Sequence, residues 1–100
     1  MNETQYRKEL EDKIKQALPG CFVLRNPCTE YQGIPDLTVF YGPRWAMLEI
    51  KISSTAAFQP NQEYYINWMN DMAFCDVIYP ENEQTVLGNL ILYMEEDWFI

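Results

Sequence analysis

An α/β domain with a central mixed sheet is predicted by three observations. Apolar residues recur at helical spacing at the amino end. Three short stretches with strand character follow, the second and third separated by a Gly-Pro turn. A helix opened by proline then leads into one more strand. One hundred residues at 48% hydrophobic and 15% aromatic content suit a single domain with one modest core. The whole chain, 1–100, is therefore read as one unit, with 95–100 as an acidic and aromatic tail.

The first element runs from Glu3 to Leu18. Glu3, Arg7, Leu10, Ile14 and Ala17 share a helical stripe that Tyr6 and Leu18 widen, and Pro19-Gly20 ends it. Cys21 to Asn26 reads as a strand that gives way at Pro27 to the polar stretch CTEYQG. DLTVFY, from Asp36, is a second strand with Asp36, Thr38 and Phe40 on one face and Leu37 and Val39 on the other. After Gly42-Pro43, WAMLEIKI forms a third strand. Ala46, Leu48 and Ile50 share one of its faces, and Trp45, Met47, Glu49 and Lys51 share the other. Pro60 opens a helix to about Phe74, with Gln62, Ile66, Met69 and Ala73 as its inward stripe. CDVIYP is a fourth strand. Val86, Leu87, Leu90, Ile91 and Met94 then recur at helical spacing, although Gly88-Asn89 also fits a hairpin turn. The order is α-β-β-β-α-β-(α), without repeats.

Composition removes many chemistries. Histidine is absent, which excludes Ser-His-Asp and Cys-His nucleophile pairs and histidine-ligated metals within this chain. Cys21, Cys28 and Cys75 are odd in number with no CxxC spacing, so reduced thiols are expected rather than a disulfide framework. No apolar run approaches the roughly 20 residues that span a bilayer, and MNETQYRKEL is polar. No membrane partner and a cytoplasmic location are the expectation. Seven basic against fifteen acidic residues give a net charge of -8, which opposes indiscriminate attraction to nucleic acid.

One constellation stands out within these bounds. Asp36 opens one strand and Glu49 lies near the end of its antiparallel neighbour, so the Gly-Pro turn brings the two carboxylates and Lys51 together. Converging carboxylates repel unless neutralised, and such an oxygen pair suits Mg²⁺, which keeps several waters. Lys51 is then placed to orient a water and to stabilise charge building on a phosphoryl oxygen.

Gly33-Ile34-Pro35-Asp36, then Glu49-Ile50-Lys51, then Gln62 on the next helix resembles the PD-(D/E)XK nuclease superfamily. Within it the pattern is most similar to the VRR-NUC type found alone in phages and to archaeal Holliday-junction resolvases. The resemblance runs from Glu3 to about Pro80 and implies a restriction-endonuclease-like domain. It implies Asp36, Glu49, the backbone carbonyl of Ile50 and Glu3 as ligands of Mg²⁺ or Mn²⁺, Lys51 as the catalytic lysine, and Gln62 beside the lysine and the substrate phosphate. Glu9 is a second candidate for the helix acid, about 100° from Leu10 on the helical wheel. Arg7 and Arg25 lie on or next to the site-forming elements and are expected to hold substrate phosphates, in company with Lys51 and Gln62.

The implied activity is a metal-dependent endodeoxyribonuclease acting on branched or structured DNA. A homodimer, a phage origin with residence in the bacterial host cytoplasm, and a protein partner from replication or recombination accompany it. The competing reading is a non-enzymatic acidic interaction or inhibitor protein on the same scaffold, docking on a basic nucleic-acid-processing partner; the charge and the MEEDW tail favour it. RNA or another phosphodiester as substrate stays open, since nothing here reads a 2′-hydroxyl.

Overall fold

The computed structural model describes residues 1–27 and 30–96. Cys28, Thr29 and the tail residues 97–100 lie outside the described residues, so the expectations placed on Cys28 and on the Trp98-Phe99-Ile100 end are not addressed by it.

Seven elements follow in the expected order: α1 (Glu3–Ala17), β1 (Phe22–Arg25), β2 (Leu37–Tyr41), β3 (Arg44–Ile50), α2 (Gln62–Met72), β4 (Phe74–Ile78) and α3 (Glu83–Glu95). The four strands form one mixed sheet in the order β1-β2-β3-β4. β1 with β2 and β2 with β3 are antiparallel, while β3 and β4 run parallel, joined through α2. A parallel pair needs such a crossover, which the Pro60 to Ala73 segment supplies.

Strand alternation sorts the side chains as expected. Leu37, Val39, Ala46, Leu48 and Ile50 all point to one face. There they meet Leu10, Ile14 and Leu18 from the α1 segment and Val86, Leu90 and Met94 from α3 in the hydrophobic core. α1 starts on a capping box in which the Asn2 and Gln5 side chains satisfy each other's backbone amides, an arrangement worth about 1 kcal/mol. α1 and α3 are tied by Glu83, which accepts from the Tyr6 hydroxyl at 2.9 Å and from Lys13 Nζ at 2.6 Å.

The opposite sheet face is covered by α2 over β3 and β4 only. The inward stripe of α2 is half-buried, none of its residues being fully enclosed. Over β1 and β2 the same face leaves Phe22, Leu24 and Phe40 exposed.

Several boundaries differ from the sequence reading, most of them by one residue, while of the two readings of the last segment the helix holds. α2 begins at Gln62, not Pro60, because Asn61 takes a left-handed backbone (φ 70°) that a helix cannot include. It ends at Met72, since extended Ala73 leads straight into β4 at Phe74. β3 stops at Ile50, leaving Lys51 just past the strand, its amide donating to the Ile78 carbonyl at 2.9 Å. Gly88-Asn89 lies inside α3 and forms no hairpin, because Val86, Leu90 and Met94 bury one helical face there.

Candidate active site

The site sits at the ends of β2 and β3. Leu37 pairs with Leu48, so Asp36 and Glu49 follow one step further along, where the two strands leave the sheet. The Ile50 amide donates to Asp36 Oδ2 at 2.8 Å, pinning that carboxylate against β3. Asp36 is held from the other side by Asn26, just past β1. The Asn26 amide donates to the Asp36 carbonyl at 2.8 Å, and its Nδ2 donates to the Pro35 carbonyl at 2.9 Å. Its Oδ1 accepts from buried Thr38 at 2.9 Å. No sequence motif marked Asn26; its only signal was a polar residue closing a strand.

Glu49 is 1% exposed and Lys51 is 7% exposed, an unusual burial for either residue type. Gln62, the first residue of α2, connects them. Its Nε2 donates to Glu49 Oε2 at 3.1 Å, and its Oε1 accepts from Lys51 Nζ at 2.7 Å. The same Oε1 accepts the Gln59 amide at 2.7 Å, so Gln62 also closes the turn that starts its own helix. Lys51 Nζ donates further to the Ala57 carbonyl at 3.2 Å, lies 3.8 Å from Glu49 Oε2, and stands over the Phe58 ring at 5.3 Å. Lys51 also lines a cavity of about 270 Å³ together with Ser53, Phe58, Asp76 and Tyr79, whose lining does not include Asp36 or Glu49.

This proximity depends on Gly33. Its φ of 93° belongs to the left-handed region, and a Cβ there would stand 2.7 Å from the Pro60 carbonyl oxygen. The loop before β2 therefore packs directly on the start of α2, which delivers Gln62 to Glu49.

Glu49 Oε1 is buried without a hydrogen-bond partner among the described residues. Burial first, and then the Asp36 charge, push the Glu49 carboxyl up to about 9; Lys51 pulls it back only in part. Glu3, exposed at the start of α1, is raised as well, by partial loss of solvent around it and then by Asp36, with Lys51 and Arg7 opposing. Glu3 is thus within electrostatic reach of the site. Even so, among the described residues no group of three or more His, Cys, Asp or Glu side chains stands close enough to hold a metal, so Glu3 is not brought into a shared shell with Asp36 and Glu49. Glu9 is exposed on the same helix.

Arg7 and Arg25 converge on a residue the sequence reading passed over. Glu11 Oε2 accepts from Arg25 Nε at 3.0 Å and lies 3.7 Å from Arg7 Nε. Glu11 is 7% exposed, whereas half of the Arg25 side chain is open to solvent. Arg44 lies at the other end of the sheet, stacked 5.0 Å over the Tyr93 ring and paired with Glu96. Cys75 is buried and Cys21 half-buried, both as free thiols. No described helix is long and apolar enough to cross a membrane.

No family model and no curated protein matches the chain. Among solved structures it is similar to Hjc, a Holliday junction resolvase from the archaeal hyperthermophile Archaeoglobus fulgidus. The TM-score is 0.53 at 13% sequence identity, over 76% of this chain and 67% of that one. At that identity the likeness concerns the fold: the chain shares the mixed sheet flanked by helices with a resolvase, the kind of protein that the Asp36, Glu49 and Lys51 pattern resembled.

Proposed function

We propose that the protein is a metal-dependent endonuclease of the PD-(D/E)XK type, close to stand-alone VRR-NUC nucleases, that hydrolyses DNA phosphodiester bonds, with branched DNA as the preferred substrate. The observation that carries this reading is the burial of Glu49 and Lys51 against Asp36 and Gln62 at one strand end, with Glu49 Oε1 left without a partner. When Glu49 is ionised, Oε1 has no donor and faces the Asp36 carboxylate, and a cation beside the two would remove that cost.

The donor set fits a hard cation. Asp36 and Glu49 offer carboxylate oxygens and Ile50 a backbone carbonyl, a set that suits Mg²⁺ or Mn²⁺, which complete their shells with water. Such an ion would supply Lewis-acid activation of water and charge neutralisation at the phosphoryl group.

The chain's own groups do the rest. Lys51, its ammonium fixed by Gln62 and Ala57, faces charge that builds on the phosphoryl oxygens as the bond to the leaving oxygen breaks. Gln62 keeps Lys51 and Glu49 in register. Arg25, half-exposed, grips the flanking backbone with Arg7 behind it, so three cations, Arg7, Arg25 and Lys51, stand among the acids Glu3, Glu11, Asp36 and Glu49. A bound divalent ion tips that local balance positive, which reconciles DNA binding with the net charge of -8.

Cleavage of labelled linear, flapped and four-way-junction DNA in Mg²⁺ or Mn²⁺, with and without EDTA, tests the reading. Metal-dependent cutting, favouring the branched forms and lost in both Asp36→Ala and Lys51→Ala, is expected. A folded native protein that cuts nothing in any metal would overturn it and turn attention to the acidic surface as a docking face for a basic protein.

A further inference from the structure

Glu11 is a buried carboxylate on the face of α1 next to β1, and it is shared by two guanidinium groups. Arg25 Nε is hydrogen-bonded to both of its oxygens, at 3.0 and 3.3 Å. Arg7 Nε, one helical turn away, is buried, makes no hydrogen bond among the described residues, and stands 3.7 Å from the Oε2 that Arg25 already occupies. As Glu11 is placed, Arg25 is hydrogen-bonded while Arg7 Nε is left just beyond hydrogen-bond distance, although the carboxylate has acceptor sites to spare. Location gives this arrangement a use. Arg25 is followed by Asn26, which holds the Asp36 backbone, while the Arg7 charge is felt by Glu3, itself in reach of Asp36 and Lys51. The pair thus borders the proposed catalytic carboxylates on the side away from α2.

Resting on the nuclease reading above, we infer that Glu11 is a positioning residue for a second phosphate site, next to the one that is cleaved. In the free protein Glu11 neutralises Arg25 and keeps its half-exposed guanidinium aimed along the edge of the site. An arriving phosphodiester takes over Arg25, since a phosphate offers the same paired oxygens as a carboxylate. Glu11 Oε2 is then released to close on Arg7 Nε, whose missing hydrogen bond is made at that moment. Binding energy from the flanking phosphate is spent on fixing the substrate rather than on affinity alone. The carboxylate lowers affinity for any nucleic acid, because it competes with phosphate, and raises the rate on a correctly seated one.

Those two effects have opposite signs, which separates this role from that of a structural brace. DNA affinity is measured in Ca²⁺ across a salt series and the single-turnover rate at saturating DNA in Mg²⁺, for the native protein and Glu11→Gln. With the carboxylate charge removed, affinity at low salt is expected to rise about three- to tenfold, and the slope of log K against log salt to steepen by about one phosphate contact. The saturating rate is expected to fall about tenfold, because the freed arginines no longer seat the substrate. In an Arg25→Gln background the affinity gain should vanish. Should Glu11→Gln fail to fold, Arg25→Gln alone carries the test, with a slope shallower by about one. Affinity and rate both unchanged in Glu11→Gln, or both reduced alongside a lowered melting temperature, would overturn the inference while leaving the nuclease reading intact. A native protein that binds and cuts no DNA would overturn both.

Discussion

Among single side chains, Glu49 carries the sharpest consequence. Its carboxyl is ordinarily near 4.5 and is pushed up to about 9 in the fold, mainly by burial and then by Asp36. The folded state therefore binds a proton that the unfolded chain releases at these pH values. Stability of the metal-free protein is highest below pH 4.5 as far as this group is concerned, and is lost as pH rises towards about 9. Glu49→Gln removes the titration and keeps an acceptor for Gln62. In EDTA at pH 7 it is expected to stabilise the protein by about 2 kcal/mol over the native chain, with little difference at pH 4.5, while abolishing cleavage. Urea unfolding at both pH values checks it; equal stabilisation at the two would show that Glu49 is not held protonated. That Asp36, Glu49 and Lys51 lie side by side was legible in the sequence because strand alternation and a short turn fix it locally, whereas Gln62 came from the resemblance and is brought in by α2. Glu11 was not legible. Its burial depends on Arg25, fourteen positions away, and nothing about an acid in the middle of a charged helix announces a long-range partner.

At the scale of elements, the loop between β1 and β2 and the start of α2 act as one unit. Gly33→Ala places a Cβ against the Pro60 carbonyl at a backbone angle that alanine resists. It should cost about 1–3 kcal/mol and lower the cleavage rate more than the melting temperature implies, because Gln62 is displaced from Lys51. Asn26→Ala removes the side-chain bonds to Pro35 and Thr38 beside Asp36, with a loss of about 1–3 kcal/mol in denaturant unfolding. An unchanged stability in either variant would contradict the assigned role. The element order was readable because each segment shows its own period, and α3 in particular because Val86, Leu90 and Met94 outweigh the turn signal of Gly88-Asn89. The start of α2 was misread by two residues: Pro60 suits a first helical turn, but Asn61 adopts its left-handed backbone where Gly33 packs beneath it, a tertiary contact that no local rule contains.

For the whole molecule, two features matter: where the charge sits and which face is uncovered. Acidic excess sets the long-range field, so DNA binding should depend on a divalent ion far more than is usual for basic nucleases, a comparison that a filter-binding series in Ca²⁺ and EDTA makes directly. The uncovered face is apolar. Phe22 and Phe40 lie 6.1 Å apart with Leu24 beside them on β1, and Trp68 and Met72 are exposed on α2. Exposed apolar side chains at Phe22, Leu24 and Phe40 are compatible with the homodimer that the resemblance implies, two-fold dimers being the commonest closed assembly. Sedimentation should give twice the 11.9 kDa chain mass, and Phe40→Glu should return it to one. A native monomer at about 100 μM would contradict the homodimer. Sequence could place these aromatics on strands and helices but could not say which face α2 leaves bare, since that depends on α2 lying over β3 and β4 rather than across the sheet.

Whether the strand-end cluster of Asp36, Glu49 and Lys51 cleaves phosphodiesters with a divalent ion is decided by the single-turnover rate on four-way-junction DNA in Mg²⁺. Native protein and Lys51→Ala are compared, both shown to be folded by circular dichroism. Native cleavage, abolished by EDTA and reduced at least about a hundredfold in the variant, is the expected result. Equal rates in the two proteins, or no cleavage by the native one, would contradict it.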